Sequence, residues 1–263
     1  MAIVTRKQGD LQYLQAEGIS AIHCFTTRFG GVSRGYLASL NLGSHRGDDP
    51  ENVAENYRIL GDALGFDPKL LVLTRQIHTD IIRVVDAGDC RGLDHGAYPE
   101  CDGLITNTPG VALAVFTADC TPILLWDPVT GAVGAAHAGW RGTAAQIAGK
   151  TVATMCREFG CKSGDIHAAI GPNIGPCCFQ TDGDVPRAMA EAFGEAAKDS
   201  IRPDGEKYYV NLKELNALSL RRAGVREIEI SEACTACQPD RFWSHRVTKG
   251  MRGAQSGIIV CGR

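Results

Sequence analysis

The chain has 263 residues, 44% of them hydrophobic and 22% charged, with a formal net charge of −3 and a pI near 6.2. That balance excludes a disordered chain and carries no basic run that would mark a nucleic-acid or anionic-membrane surface. The opening MAIVTRKQGDLQYLQ lacks the apolar core of a signal peptide, and no segment approaches the about 18 apolar residues of a spanning helix, so a cytoplasmic protein is expected.

In chain order, the first feature is TTRFGGVSRGY, Thr26 to Tyr36, a polar glycine-rich loop in which Arg28 and Ser33 are available to a polar ligand. SLNLGSHRGDDP then brings His45, Arg46, Asp48 and Asp49. Asp49 is a good N-cap and Pro50 suits the first helical position. Val53, Tyr57, Leu60 and Leu64 follow on one helical face, and Gly65 stops the helix.

Strands are expected at Ile81–Val85, Val111–Thr117, Pro122–Trp126, Ala132–Ala136 and Ile166–Ile170, with PVTG (128–131) turning two of them into a hairpin. A helix is expected to open near Thr143, whose T-x-x-Q spacing to Gln146 reads as a capping box, and to close at Gly160. Adjacent strands joined by a tight turn are antiparallel. The fold class is therefore α+β, one domain over residues 1–263 with mixed, largely antiparallel sheets layered between helices.

Eleven cysteines are an odd number at irregular spacings, and in a reducing compartment most serve as small buried hydrophobes. CTAC, at Cys234 and Cys237, is a lone C-x-x-C and a weak metal signal. Cys261 is a distant third partner, and the vicinal pair Cys177–Cys178 in the turn-rich GPNIGPCCF is read as having no metal or redox role.

Three other residues sit where strand-like segments end: His78 in TRQIHTD, Cys120 in AVFTADCTPILLWDP and His137 in GAVGAAHAGWRG. Two imidazoles and a thiolate make a three-ligand Zn²⁺ set with a fourth position left for water or substrate. Their separation along the chain leaves a core cysteine and two loop histidines as the plainer alternative. Behind His137, Gly139, Arg141 and Gly142 lead into a helix N-terminus, an anion-binding arrangement in which Gly139 permits close approach and Arg141 grips a phosphate or carboxylate. SHRVTKGMRG, with His245, Arg246, Lys249 and Arg252, is either a solvated loop or a cationic lining.

TRFGGVS, SLNLGSHRGDDPENVAEN, QIHTD, CDGLITNTPGVALAVFTADCTPILLWD, AAHAGWRGT and AIGPNIGPCCF resemble the YfiH family in order and spacing, from about Thr26 onward. That family is also called laccase-domain or polyphenol-oxidase-like. The resemblance implies metal ligation by His78, Cys120 and His137, with Zn²⁺ the expected ion and Cu²⁺ the other the set accommodates. It implies phosphorolysis of adenosine, inosine and methylthioadenosine, deamination of adenosine, and hence purine nucleosides and phosphate as partners. Arg141, Arg28 and Arg46 are then the candidates for phosphate, with Ser33 and Gly139 also at the substrate. Asp119 is assigned a supporting role beside Cys120. Arg46 departs from the family pattern, as do His245, Val247 and the Arg252-Gly253 order, which leaves the C-terminal loop without an expected substrate role.

The competing readings use the same atoms. Seven histidines without an H-x-H pair cannot furnish a multicopper oxidase. Cys120 with His137 or His78 as base makes a cysteine hydrolase, and peptidoglycan-precursor editing is attached to some bacterial family members. A non-enzymatic metal protein would close the trio with a fourth side chain.

Overall fold

The computed structural model describes residues 2–262. Strands β1 (Ile3–Gln8), β2 (Leu11–Ala16) and β3 (His23–Thr26) precede helix α1 (Pro50–Leu64) and the short strands β4 (Leu71–Val72) and β5 (Ile82–Val84). Then come β6 (Gly103–Thr106), β7 (Ala112–Thr117), β8 (Thr121–Trp126) and β9 (Val133–Ala138), followed by α2 (Trp140–Ala144), α3 (Ile147–Phe159) and β10 (His167–Ile170). The last part runs through β11 (Gln180–Thr181), α4 (Asp184–Phe193), β12 (Ile201–Asp204), β13 (Lys207–Val210), α5 (Leu212–Arg222), β14 (Glu227–Ile230), α6 (His245–Thr248) and β15 (Gln255–Val260).

These strands form two six-stranded sheets, ordered β1-β2-β3-β15-β7-β4 and β14-β10-β8-β9-β6-β5, and a small sheet ordered β11-β13-β12. Among the strands of the described residues, only β4/β7, β5/β6 and β10/β14 pair in parallel, so the expected α+β class with mostly antiparallel sheets is the observed one. The PVTG hairpin forms, with Trp126 opposite Val133.

Side-chain alternation along the second sheet explains its place in the molecule. On β8, Leu124 joins the apolar cluster of the first sheet, while Ile123 and Leu125 join α3 and α5 on the other face. On β9, Val133 and Ala135 point to the first cluster and Ala136 and Ala138 to the helices. Burial on both faces is why these strands read as continuous apolar runs, each large side chain contributing about 1.5–3 kcal/mol. His137 lies on such a strand, held in a rigid frame.

Helix α1 keeps its expected bounds: the Asp49 carboxylate accepts from the Glu51 N–H at 3.0 Å, and Gly65 closes the helix in the left-handed region. The second helix differs from expectation. It starts at Trp140 with Gly139 as its cap, breaks at Gln146 (φ 58°), and resumes as α3 from Ile147. Thr143 makes no capping box, because it already lies inside α2, with its N–H donating to the Gly139 carbonyl at 2.8 Å, and its buried hydroxyl accepts from the Asn216 side-chain amide at 2.9 Å.

Candidate active site

Three chain segments meet at one point. His78 lies within the loop between β4 and β5, in the left-handed region at φ 62°; Cys120 lies in the tight turn between β7 and β8; His137 is near the end of β9. The register that sets Pro122 opposite His137 brings the Cys120 turn beside that ring. Cys120 Sγ is 3.9 Å from His78 Nε2, the two imidazoles stand edge-to-face with centroids 4.9 Å apart, and the three potential ligand atoms lie within 4.8 Å of one another. His137 is buried, Cys120 half-buried and His78 exposed, so the trio opens on one side.

Asp102, a residue that sequence reasoning passed over, organises this centre. Its fully buried carboxylate meets His137 Nδ1 at 2.8 Å, which leaves Nε2 as the free ring nitrogen. The same carboxylate accepts from the backbone N–H groups of Ile77, His78 and Thr79 and from the Thr79 hydroxyl, at 2.7–3.2 Å. Burial resists its charge, but the His137 and Thr79 donors outweigh that cost and hold its pKa at about 2. The only signal in the sequence was an acid directly ahead of the buried strand Gly103–Thr106.

Asp119 acts on the turn that carries Cys120. Its carboxylate accepts from the Thr235 hydroxyl at 2.6 Å and from the Arg246 backbone N–H at 2.7 Å, which ties the Cys120 turn to the C-terminal loops. At Cys120 burial opposes ionisation, and His137 and His78 overcome it to draw the thiol down to about 6. Gly139 fits by having no side chain: a Cβ there would come within 2.8 Å of His78 Cδ2 and 3.3 Å of Cys120 Sγ.

The trio borders a cavity of about 440 Å³, with Phe116, His95, Arg46 and Arg252 among its walls. The Nε atoms of both arginines are buried and have no hydrogen-bond partner among the described residues. Burial lowers the pKa of Arg46, and burial together with Arg46 lowers that of Arg252 to about 10. Two guanidinium groups lining one cavity make an arrangement that can receive an anion. His95, whose Nδ1 is 2.7 Å from Ser44 Oγ, packs edge-on to His45 and against Phe116. Burial, His45 and Arg46 lower its pKa to about 4, so it is neutral at physiological pH.

The other expected substrate residues lie elsewhere. Arg28 donates to the carbonyls of Ala38 and Pro239 and stacks on Trp243, 3.9 Å from the ring centre. Ser33 donates to Asp48 at 2.7 Å and accepts from Asn56 at 2.9 Å, inside the packing of the loop. Arg141 is exposed, outside the cavity wall, with its guanidinium over Trp140 at 4.2 Å. Arg46 alone of the expected arginines lines the cavity, joined there by Arg252 from the loop that was given no substrate role.

A second cluster was missed. Cys177, Cys178, Cys234 and Cys237 converge with their sulfur atoms within 4.8 Å of one another. Cys261 does not join them: its thiol donates to the Gly131 carbonyl at 3.3 Å.

Residues 22–262 match the family described as "Multi-copper polyphenol oxidoreductase laccase". The chain belongs to this family. It is 40% identical over 245 residues to "Purine nucleoside phosphorylase YlmD" of Geobacillus stearothermophilus, covering 91% of this chain and 89% of that protein. It is 36% identical to "Purine nucleoside phosphorylase YfiH" of Escherichia coli, covering 90% and 92%. The crystal structure of YlmD from Geobacillus stearothermophilus superposes with a TM-score of 0.93 at 37% identity, over 99% of this chain and 100% of the other. No helix among the described residues is long and apolar enough to cross a membrane.

Proposed function

We propose that this family member is a purine nucleoside phosphorylase acting on adenosine, inosine and methylthioadenosine, and that the same site deaminates adenosine. The observation that carries the reading is the pair Arg46 and Arg252, with unpartnered buried Nε donors, in one cavity with His78, Cys120 and His137. The names of the relatives from Geobacillus stearothermophilus and Escherichia coli point the same way.

In phosphorolysis a phosphate oxygen forms the bond to C1′ as the C1′–N9 bond breaks, giving ribose 1-phosphate and free base. Arg46 and Arg252 hold the phosphate and fix its line of approach, so that orientation and desolvation precede the reaction. A phosphate anchored there is also a negative charge beside the cationic ribose of the transition state. Phe116 and neutral His95 offer flat faces to the purine. In deamination the oxygen of water bonds to C6 as the C6–N bond breaks, ammonia leaves, and no phosphate is needed.

The trio suits a borderline-soft ion. Its donors are two imidazole nitrogens and a thiol drawn toward thiolate, and Asp102 orients one ring in the way a metal-binding histidine requires. His78, Cys120 and His137 would hold Zn²⁺, with Cu²⁺ the stronger competitor by affinity order. The ion would supply Lewis acidity toward an oxygen of substrate or water. The exposed His78 and the adjoining cavity favour an open site over one closed by a fourth side chain.

Incubation of the metal-loaded protein with adenosine, with and without phosphate, tests the reading by chromatography. Adenine and ribose 1-phosphate formed only with phosphate, beside phosphate-independent inosine, are expected; unchanged adenosine would overturn it. The lowered Cys120 pKa favours one rival, a thiolate hydrolase with His137 as base. Turnover that survives chelation but is lost on alkylation would select that rival.

A further inference from the structure

The four-cysteine cluster stands apart from the proposed catalytic trio and follows from sheet topology. Strands β10 and β14 are parallel neighbours in register, Ile170 opposite Ile230, so the loops after them leave the sheet side by side. The first loop carries Cys177 and Cys178, and the second carries Cys234 and Cys237. The Thr235 N–H donates to the Asn173 carbonyl at 2.9 Å, which binds one loop to the other. Cys237 Sγ then lies 3.4 Å from Cys177 Sγ and 3.3 Å from Cys178 Sγ, and all four cysteines are free thiols.

Four thiols gathered this tightly have little reason to stay together alone. A thiol is a weak donor and a weak acceptor, and four thiolates repel one another. A tetrahedral thiophilic cation turns that repulsion into four bonds. One backbone donor already favours charge on sulfur: the Gly175 N–H donates to Cys234 Sγ at 3.1 Å. A Cβ at Gly175 would come within 3.2 Å of Cys234 Cβ and 3.3 Å of Cys177 Sγ, so glycine lets the loop close over the cluster.

The geometry points to a second metal site, a structural Zn²⁺ tetrathiolate formed by Cys177, Cys178, Cys234 and Cys237. A site closed by four protein ligands is structural, because no position remains for substrate. It staples two loops that both reach the Cys120 turn. Thr235, inside the C-x-x-C, donates to Asp119, and the Arg246 guanidinium donates to the carbonyls of Cys178 and Gln180 while its backbone N–H donates to Asp119. Asp119 sits in the left-handed region at φ 89°, and these contacts keep it there. The inference does not depend on which reaction the trio performs.

Metal analysis and zinc release test it. Protein purified without chelator is expected to hold a zinc ion that persists in Cys120→Ala/His137→Ala and is lost from Cys177→Ser/Cys237→Ser. Because the serine variant risks misfolding, the first double variant is also titrated with a mercurial thiol reagent in the presence of a zinc-binding dye. Zinc should appear as the four clustered thiols react, and protein stripped of it should melt at a lower temperature. Zinc absent from Cys120→Ala/His137→Ala, or mass-spectrometric detection of a Cys177–Cys237 or Cys178–Cys237 disulfide in freshly purified protein, would overturn the site.

Discussion

Asp102 and His137, separated by 35 residues, meet at 2.8 Å with both side chains buried, and through this contact one carboxylate governs both histidines of the centre. Its other bonds reach the backbone from Ile77 to Thr79 and so set the loop that presents His78. Asp102→Asn keeps the shape but loses the charge that orients the His137 ring. Metal affinity, measured by competition with a chelating dye, should fall about 10- to 100-fold. An unchanged affinity would remove Asp102 from this role.

Arg46 and Arg252 should separate phosphate binding from the rest of the reaction. Alanine at either one removes charge-assisted hydrogen bonds worth about 1.5–3 kcal/mol each, so the KM for phosphate should rise by about one to two orders of magnitude. Phosphate-independent deamination should change far less. Arg141→Ala is the matched control, since its guanidinium lies on Trp140 outside the cavity wall, and its phosphate KM should match the parent protein.

Gly139→Ala probes the space beside the metal ligands. The added methyl would meet His78 Cδ2 at 2.8 Å. His78 is exposed and on a loop, so it should yield before the sheet does. We expect a melting temperature close to that of the parent and a loss of metal affinity of at least about tenfold. Retained affinity would show that the loop absorbs the methyl without moving the ring.

His95 should imprint a pH dependence on stability. Its folded-state pKa, lowered by burial and by His45 and Arg46 against the opposing pull of Asp94, is about 4. The unfolded value is near 6.5, so between these limits the unfolded chain binds more protons and stability rises with pH. The contribution is present above about pH 6.5 and is lost as pH falls toward 4. His95→Gln should flatten the melting-temperature slope in that window when measured without phosphate, and an unaltered slope would place the titration elsewhere.

Helix α1 was legible because its signals are local: the Asp49 cap, Pro50, the Val53–Tyr57–Leu60 face and the Gly65 stop all lie within one stretch. The apolar strands were legible as well, since burial on two faces leaves few polar residues in a run. Thr143 and Gln146 misled because the helix already starts at Trp140 and breaks at Gln146, and the Thr143 hydroxyl meets Asn216 from far along the chain. The opening strands Ile3–Gln8 and Leu11–Ala16 carry many polar residues and gave no clear period.

By itself the sequence determined the α+β class, the apolar strands and the residue types able to hold a metal, because these depend on composition and local spacing. Residue type and strand-end position singled out His78, Cys120 and His137, and the resemblance in the motifs reinforced that set. Tertiary structure decided which polar groups share a dielectric and a distance. It took Arg28, Ser33 and Arg141 away from the cavity, brought Arg252 into it beside Arg46, and set Asp102 against His137. It also turned a vicinal pair and a lone C-x-x-C into four converging sulfurs. Such contacts arise from strand register and the meeting of distant loops, and residue spacing along a chain carries no record of either.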